Sequence, residues 1–175
     1  MNNMRISENE FVFKRCTEKD LSEIVKIQDE AFSLMDNKDI LRKNSEEMLL
    51  SCLKEPHYTL GAFYNDELAG FVVLYFPEGE EIISNSLIKV DANNKKDANY
   101  KLCIVRDEYR GNSLQFLLGK RLDEYAKSKG VEILCATVSP DNPYSMNNIL
   151  KLGYLYDHSS EKYGGLQRNI YYKLI

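Results

Sequence analysis

Two β-rich runs stand next to each other in the middle of the chain, with only a polar turn between them, and this limits the folds open to it. They lie in YTLGAFYNDELAGFVVLYFP, where Asn65-Asp66-Glu67 forms a hairpin signature. Strands joined in this way are antiparallel, whereas a doubly wound nucleotide-binding sheet needs a helix between successive parallel strands. The hairpin therefore predicts a mixed sheet rather than a Rossmann-type sheet.

Hydrophobic periodicity places the other elements around this hairpin. We predict a strand at 11–17, helices at 21–35 and 45–54, a strand at 100–107, a long helix ending at Gly130, a strand at 131–139, a short helix ending at Gly153, and closing strands near 154–158 and 169–175. The polar segment 78–99 is either a long excursion with its own short element or a mobile loop. The order β-α-α-β-β-β-α-β-α-β-β predicts an α/β (α+β) fold, in which helices flank a single mixed, mostly antiparallel sheet, with residues 1–175 as one domain.

Capping residues support three of the predicted helix starts. Thr17, with Asp20 three residues later, is typical of the start of the first helix, and Ser45 is typical of the start of the second. Asn142 or Asp141 is suited to cap the short helix after the buried strand. These signals agree with the helices that periodicity predicts.

The bulk composition excludes several classes of function. The chain of 175 residues has a net charge of −4 and a pI near 5.3, which disfavours bulk electrostatic binding to nucleic acid or to anionic membranes. No apolar run approaches the roughly 18 residues of a membrane-spanning helix. The N-terminal sequence MNNMRISENEF lacks the apolar core of a signal peptide. We therefore expect a cytoplasmic protein that binds neither nucleic acid nor membrane.

The four cysteines do not indicate a metal site. Cys16, Cys52, Cys103 and Cys135 form no CxxC pair and lie inside or beside apolar runs, so we expect buried side chains in a reducing compartment. With only two histidines in the chain, no cluster of metal ligands is expected. No spaced histidine motif supports a nucleophilic cysteine, although the sequence leaves one open.

Two motifs lie in the predicted strand–turn–helix and in the short helix that follows it. The first is VRDEYRGNSLQ at 105–115, and the second is NPYSMNNILKLGY at 142–154. Each is degenerate alone, but their separation and their places in the element order resemble the GNAT family of acetyl-CoA-dependent N-acetyltransferases over nearly the whole chain. The tail YGGLQRNIYYKLI is similar to the final hairpin of many bacterial members. The resemblance implies a GNAT-like fold and acetyl transfer from acetyl-CoA to an amine, with no metal.

The resemblance also implies which residues bind coenzyme A. Backbone amides at a helix N-terminus bind phosphate through unpaired donors and the positive end of the helix dipole. The pantetheine arm pairs like an added strand with an edge exposed where two strands splay apart. The implied cofactor-binding residues are Cys103, Ile104 and Val105 on the strand, Arg110, Gly111, Asn112, Ser113, Leu114, Gln115 and Phe116 in the turn and helix start, and Asn142 before the short helix.

The turn departs from the family pattern V-x-P-x-x-R-G-x-G-x-G at Asp107 and at two glycine positions, Ser113 and Gln115. A non-glycine residue held at positive φ costs roughly 1–2 kcal/mol, which corresponds to about a ten-fold loss of cofactor affinity. If the backbone is helical there, the cost is small. Arg110 has a plainer interpretation as a solvent-exposed arginine at a helix start, and Asn142 has one as a simple helix cap.

The sequence assigns no catalytic residue. In many relatives the tyrosine of the second motif protonates the leaving thiolate, but this chain has Ile149 at that position. Thr137 stands where some relatives carry a glutamate. Asp29, Glu30 and Asp36 would lie near the acceptor groove by the resemblance, although solvated surface residues are the plainer interpretation. Catalysis by positioning alone, with water carrying the proton, stays open.

The acceptor is also unspecified. By the resemblance, segments 34–45, 77–99 and 159–168 would wall its pocket, and they carry both signs of charge. Tyr144 and Tyr154 are interpreted as packing or pocket-wall residues. The 12 tyrosines favour an amphipathic pocket or a self-association face, so a homodimer is one expectation.

The sequence therefore predicts an N-acetyltransferase that uses acetyl-CoA. The acceptor is a primary amine of a small molecule or a protein, which attacks directly in a ternary complex. One alternative is a catalytically weak or inactive acyl-CoA-binding or sensing module with the same fold. Another is a structural or interaction domain that keeps only the fold.

Overall fold

The computed structural model describes residues 3–175, so the first two residues of the predicted domain lie outside the described residues. The strands and helices follow the predicted order. They are β1 Val12–Arg15, α1 Leu21–Leu34, α2 Glu46–Cys52, β2 Tyr58–Tyr64, β3 Glu67–Tyr75, β4 Asp97–Val105, α3 Leu114–Ser128, β5 Ile133–Val138, α4 Pro143–Lys151, β6 Leu155–Lys162 and β7 Leu166–Leu174. No helix in this part of the chain is long and apolar enough to span a membrane.

All seven strands form one sheet in the order β1-β2-β3-β4-β5-β7-β6. Strands β4 and β5 run parallel because α3 connects them, and the other neighbouring pairs are antiparallel. The β2–β3 hairpin turns on Asn65 and Asp66, whose φ angles of 48° and 66° match the left-handed turn that fits the twist of antiparallel strands. The predicted fold class, a mixed and mostly antiparallel sheet with flanking helices, is confirmed.

The helices cover both faces of the sheet. Leu118 and Leu122 of α3 are fully buried against one face, together with α4. Ile24 and Ile27 of α1 are buried with α2 against the other face. Side chains of a strand alternate between faces, so the sheet supplies apolar surface to both layers. Burial of these two helical faces fixes the sheet between the layers.

Strand β4 bends at an extra residue. Leu74 of β3 pairs with Tyr100 and Val73 pairs with Leu102, so Lys101 is the unpaired residue of a β-bulge. The pairing of β4 with β5 runs from Asp97 to Tyr100 and stops there, and beyond it β4 keeps its bonds to β3 alone. The two parallel strands therefore separate, and a V-shaped opening forms in the middle of the sheet.

Segment 78–96, between β3 and β4, is a packed excursion and not a mobile loop. It contains short 3-10 turns at Gly79–Glu81 and Ile83–Ser86. Ile83 is buried, and Leu87 and Val90 pack with it against Ile133 of β5 and Ile170 of β7. The first of the two interpretations, an excursion with its own short elements, is confirmed. Strand β4 begins three residues earlier than predicted, at Asp97.

Residues 159–168 were predicted to form a loop between the two closing strands, and this prediction is wrong. Strands β6 and β7 extend through most of it and meet at a short turn at residues 163–165, where the φ angles of all three residues are positive. The polar sequence SSEK concealed the strand, because its residues lie in an edge strand whose exposed positions carry polar side chains. The result is a long hairpin that reaches over the opening in the sheet.

Candidate functional site

The opening between β4 and β5 is the floor of a cleft with a cavity of about 100 Å³. Three groups of elements form its wall: the separated strands, the start of α4, and loops that lie over the end of the sheet. The lining residues are Ile40, Leu41, Arg42 and Asn44 after α1, Tyr100, Lys101, Leu102 and Cys103 on β4, Ala136, Thr137, Val138 and Ser139 on β5, Asn142, Ser145 and Ile149 at α4, and Tyr163 and Arg168 on the β6–β7 hairpin.

The turn before α3 contributes no residue to this lining, and its link to the cleft is Gln115, which hydrogen-bonds Asn148 of α4 at 3.1 Å and lies 3.5 Å from the lining residue Ser145. The turn reverses sharply at two residues. Gly111 has a φ of 86°, and Ser113 has a φ of 58° with ψ 20°, so both are left-handed. Gln115 lies inside α3 and is helical. Of the two glycine positions that the sequence has lost, one therefore carries backbone strain and the other does not.

The first amides of α3 have no side-chain cap. The Ser113 side chain makes no capping hydrogen bond within the described residues, and the first intrahelical bond runs from the Leu117 amide to the Ser113 carbonyl, 3.0 Å. The amides before Leu117 are thus orphan donors of a helix N-terminus, which is the arrangement that binds anions. The Leu114 side chain is buried in the core, so that residue offers only its backbone.

An N-terminal segment that the sequence did not associate with this turn is bound to it. The Arg5 guanidinium donates to the Gly111 carbonyl at 2.9 Å. The Asn112 side chain accepts from the Ile6 amide at 3.0 Å and donates to the Met4 carbonyl at 2.8 Å. Asn112 therefore braces the turn with its side chain. No local pattern indicated these contacts, because the partners lie more than one hundred residues apart in the chain.

Arg110 and Phe116 stand at the edges of the predicted turn. Arg110 is exposed and pairs with Asp107 at 3.2 Å, which agrees with the plainer interpretation of a solvated arginine. Phe116 is partly buried and packs against the core on the α3 side. Neither side chain lines the cleft.

The three predicted residues of β4 take alternating positions. Cys103 lines the cleft, whereas Ile104 is buried against the α1 layer and Val105 packs against the α3 layer. Burial raises the pKa of the Cys103 thiol to about 12. The backbone of this part of β4 faces the opening, since its pairing with β5 has ended.

Helix α4 borders the cleft with its first turns. The Asn142 side chain accepts from the Ser145 amide at 3.1 Å and also lines the cleft, so it caps the helix and faces the opening. Ile149 is buried and lines the cleft where many relatives carry tyrosine. The neighbouring tyrosines do not replace it: Tyr144 is 81% exposed, which the packing interpretation did not anticipate, and Tyr154 is buried in the core.

Among the described residues, the charged side chains that line the cleft are all basic. Arg42 and Lys101 both pair with Glu81, at 3.3 and 3.4 Å, and Glu81 itself is not part of the lining. Arg168 is 3% exposed, and burial lowers the pKa of its guanidinium. Segment 77–99 contributes no residue to this lining and reaches the cleft only through Glu81, which pairs with Arg42 and Lys101. The apolar residues of this segment pack against β5 and β7 instead.

A hydroxyl pair crosses the cleft. The Tyr163 hydroxyl lies 3.0 Å from the Thr137 hydroxyl, and the Arg42 guanidinium lies 4.0 Å from the centre of the Tyr163 ring. Tyr163 has a φ of 55°, which is strained for a bulky residue. Such strain persists where surrounding contacts hold a side chain in a required position. Here it directs the tyrosine ring over the cleft.

The carboxylates considered from the sequence lie elsewhere. Asp29, Glu30 and Asp36 are exposed, Asp29 pairs with Lys43 at 2.7 Å, and none of the three lines the cleft. Within residues 3–175, no three His, Cys, Asp or Glu side chains are grouped so that they could hold a metal ion. Among the described residues, no carboxylate is therefore part of the cleft lining.

One buried hydroxyl in the cleft wall lacks a partner among the described residues. Tyr100 is 6% exposed, and its hydroxyl makes no hydrogen bond there. Burial raises the pKa of this phenol well above its ordinary value, so it stays protonated near neutral pH. An unpaired buried hydroxyl costs about 1–3 kcal/mol. The hydroxyl oxygen is shielded from the cleft, and the Cys103 thiol is close enough to affect its pKa.

Comparison with known proteins identifies the same fold. The sequence profile of the acetyltransferase (GNAT) family matches residues 21–154. No curated protein sequence matches the chain significantly. A GNAT-family acetyltransferase from Streptococcus pneumoniae superposes with a TM-score of 0.70 at 22% identity, over 95% of this chain and 99% of the other.

Two similar structures contain acetyl-CoA. The protein yncA of Salmonella typhimurium, solved with its cofactor acetyl-CoA, superposes with a TM-score of 0.71 at 15% identity and covers 95% of this chain and 94% of the other. NAA60 of Arabidopsis thaliana, in complex with acetyl-CoA, superposes with a TM-score of 0.75 at 14% identity, over 94% and 98%. At such identities the likeness concerns the fold, and the fold that the two motifs predicted is confirmed.

Proposed function

Since the chain belongs to the acetyltransferase (GNAT) family, we propose that it transfers an acetyl group from acetyl-CoA to a primary amine of a small molecule or a protein. The observation that carries this proposal is the opening between β4 and β5, which places an unpaired strand edge next to the uncapped N-terminus of α3. The strand edge can pair with an extended, peptide-like arm, and the amides at the helix N-terminus can donate to a phosphate.

The residues present fit acetyl-CoA. The amides from Gly111 to Phe116 would bind the pyrophosphate, and the backbone of Cys103 to Val105 would pair with the pantetheine amides. Asn142 offers a further polar contact in the cleft. When bound, acetyl-CoA supplies an activated acyl group. Arg110 would contribute only long-range positive charge, because its side chain is exposed and pairs with Asp107.

Direct attack by the amine is favoured over an acyl-cysteine intermediate. Cys103 is the one cysteine in the described cleft lining, and burial raises its pKa to about 12. Its thiolate fraction at neutral pH is therefore on the order of one in a hundred thousand. In the direct reaction the amine nitrogen forms a bond to the acyl carbon, the carbon–sulfur bond breaks, the nitrogen loses a proton and the sulfur gains one. The cleft needs to hold the two reactants together and to exchange these protons.

We assign the proton for the leaving sulfur to Tyr163. A phenol hydroxyl can donate its proton to a leaving thiolate. The bond to Thr137 and the contact with Arg42 hold this hydroxyl over the cleft. Tyr163 on the β6–β7 hairpin would thus take the role that, in many relatives, belongs to a tyrosine at the position of Ile149 on α4.

Two measurements test the proposal. Acetyl-CoA at 100-fold excess over its dissociation constant should raise the stability of the folded protein by about 2.7 kcal/mol. Free thiol released from acetyl-CoA should then depend on the presence of an amine. Stabilisation by acetyl-CoA without transfer to any amine would instead support the second candidate, an acyl-CoA-binding module, which is motivated by Ile149 at the position of the usual tyrosine.

A further inference from the structure

A buried arginine in the cleft has no acidic partner within ion-pair distance in the described part of the chain. Arg168 is 3% exposed and lines the cleft. Its guanidinium donates to the Gln167 carbonyl and to the Asp39 carbonyl, each at 2.8 Å, and no carboxylate oxygen lies within 4.0 Å. Buried charges are normally paired, because the cost of removing a charge from water exceeds what neutral carbonyls return.

The neighbouring charges do not compensate for this one. Arg42 lines the same cleft and its charge opposes that of Arg168, while Asp39 attracts Arg168 from beyond ion-pair distance. Glu81 already interacts with both Arg42 and Lys101. The cleft therefore has a positive wall on the side of the hairpin and of the segment after α1.

This positive wall is separate from the proposed phosphate site. The hydrogen bonds of Arg168 go to the β6–β7 hairpin and to the segment after α1, and none goes to the turn at 110–116. The turn has its own donors in the first amides of α3. The positive wall is thus available to the second substrate.

We propose that the acceptor is a primary amine that also carries a carboxylate, and that Arg168 binds this carboxylate with support from Arg42. The inference rests on the proposed function, since it concerns the acceptor side of the same cleft. Guanidinium groups match carboxylates in planar two-point geometry. An acceptor of this class would supply the anion that Arg168 lacks, whereas a polyamine would add positive charge to a positive wall.

The same charges assist the attack. A positive wall disfavours the ammonium form and lowers the pKa of a bound amine. The neutral nucleophile is then more abundant near neutral pH. The carboxylate anchors the substrate, and the surrounding cations help its amine to lose a proton before the new bond to the acyl carbon forms.

Matched acceptor pairs test the inference on the unmodified protein. We would measure thiol release from acetyl-CoA with β-alanine against β-alaninamide and with 4-aminobutanoate against 4-aminobutanamide, and add phosphoethanolamine and spermidine. A charge-assisted bond to the carboxylate predicts at least about a ten-fold higher kcat/KM for the acids than for the amides. Equal or higher values for the amides or for spermidine would overturn the inference while leaving the proposed function intact. Preference for phosphoethanolamine over both acids would also overturn it.

Variants identify the residue responsible. Arg168→Gln should remove the preference for the acid in each pair, and Arg168→Lys should retain part of it, since lysine keeps the charge but not the two-point geometry. Arg15→Gln serves as the control, because it alters an arginine of β1 that pairs with Glu55. This variant should keep the preference for the acid. If Arg168→Gln does not fold, the wild-type pairs and Arg168→Lys decide the matter.

Binding of acetyl-CoA separates the two possible failures. Its dissociation constant should stay within about three-fold of wild type in Arg168→Lys, whose charge is unchanged. A much larger loss of acetyl-CoA affinity than of acid preference would make Arg168 a cofactor ligand and overturn the inference. Acetyl-CoA binding without transfer to any amine would overturn the proposed function and this acceptor class with it.

Discussion

The Tyr163 hydroxyl lies 3.0 Å from the Thr137 hydroxyl and connects the β6–β7 turn to β5 across the cleft. Tyr163→Phe removes this hydroxyl but keeps the ring that stacks on Arg42. If Tyr163 protonates the leaving sulfur, kcat should fall about 100-fold, the lower range for loss of a general acid, while acetyl-CoA binding is unchanged. Steady-state thiol release and calorimetric titration would measure the two effects.

Tyr156→Phe is the matched control for that experiment. Its hydroxyl makes a similar bond, 2.8 Å to the Ser159 hydroxyl, in the same hairpin but outside the cleft. Its kcat should equal that of wild type. An unchanged kcat in Tyr163→Phe would remove Tyr163 from the chemistry and leave water as the proton carrier.

Gly111 and Gly130 offer a comparison between two glycines at opposite ends of α3. Both have positive φ, 86° and 73°, and neither position is sterically crowded. Replacing either with alanine should cost roughly 1–2 kcal/mol of stability. Only Gly111→Ala should also weaken acetyl-CoA binding, by about ten-fold or more. A φ of 86° lies outside the left-handed region that alanine can occupy, so the backbone of the turn should shift and move the amides that bind phosphate, whereas Ser113 at 58° lies within that region. Equal acetyl-CoA affinity in the two variants would show that the turn is only a connection.

Ser113 holds a left-handed conformation in the folded chain, at φ 58°. The strain is therefore part of the folded state, so its cost affects stability and not cofactor affinity. Ser113→Gly should raise the free energy of unfolding by about 0.5–1 kcal/mol, the strain relieved less the entropy that glycine loses. Asn94→Gly, at φ 60°, should gain less, because asparagine tolerates this conformation.

Urea unfolding and acetyl-CoA titration test this account of Ser113. Affinity should stay within about three-fold of wild type in Ser113→Gly. A ten-fold gain in affinity would mean instead that the turn becomes left-handed only on binding. The sequence alone could not separate these cases, because it does not reveal the backbone of the free turn.

Asp157 fixes the excursion between β3 and β4. Its buried carboxylate accepts from the Ile88 amide at 3.0 Å, from the Lys89 amide at 2.8 Å, and from His158. Burial alone would raise the pKa of this carboxyl, but the bonds outweigh burial and hold its pKa below the usual value. Asp157→Asn replaces one accepting carboxylate oxygen with an NH₂ donor, which faces other donors. The substitution should lower the free energy of unfolding by about 1–3 kcal/mol.

The pH dependence of that loss follows from the sign of the shift. A carboxyl with a lowered pKa stabilises the fold above about pH 4 and loses this effect as pH falls through its folded pKa. The destabilisation of Asp157→Asn in urea unfolding should therefore shrink in acid. Asp91→Asn, an exposed carboxylate in the same segment, should be nearly neutral. Equal losses in the two variants would contradict the anchoring role.

His57 should make stability depend on pH near neutrality. Burial, assisted by the charge of Lys101, lowers the pKa of His57, and its Nδ1 accepts from the Phe76 amide at 3.1 Å. The unfolded chain then binds a proton that the folded protein does not, so stability falls as pH drops from about 7 to 5. His57→Gln should flatten this part of a plot of melting temperature against pH. An unchanged slope would show that His57 accepts its proton without cost to the fold.

The sequence predicted the sheet and its helices because their signals are local. The hairpin at Asn65-Asp66, the cap at Asn142 and the stop at Gly130 each depend on a few neighbouring residues. The element order then left few arrangements for the sheet. The predicted turn at 110–116 and the strand at 103–105 likewise come from one contiguous stretch, in which β4 runs to Val105 and α3 begins at Leu114.

The acceptor side of the cleft could not be predicted in the same way. Tyr163, Arg168 and Arg42 meet only because the β6–β7 hairpin folds back over the segment after α1. Their sequence neighbours resemble those of an ordinary polar loop. The contact of Arg5 with Gly111 likewise joins residues that lie 106 positions apart in the chain. Such groupings depend on tertiary structure and leave no periodic signal in the sequence.

The most direct measurement is amine-dependent release of free thiol from acetyl-CoA by the wild-type protein, followed by mass analysis of the acceptor. We expect release that requires a primary amine, saturates with acetyl-CoA, and yields an acceptor heavier by one acetyl group. Bound acetyl-CoA with no acetylated acceptor, across amines with and without a carboxylate, would contradict it.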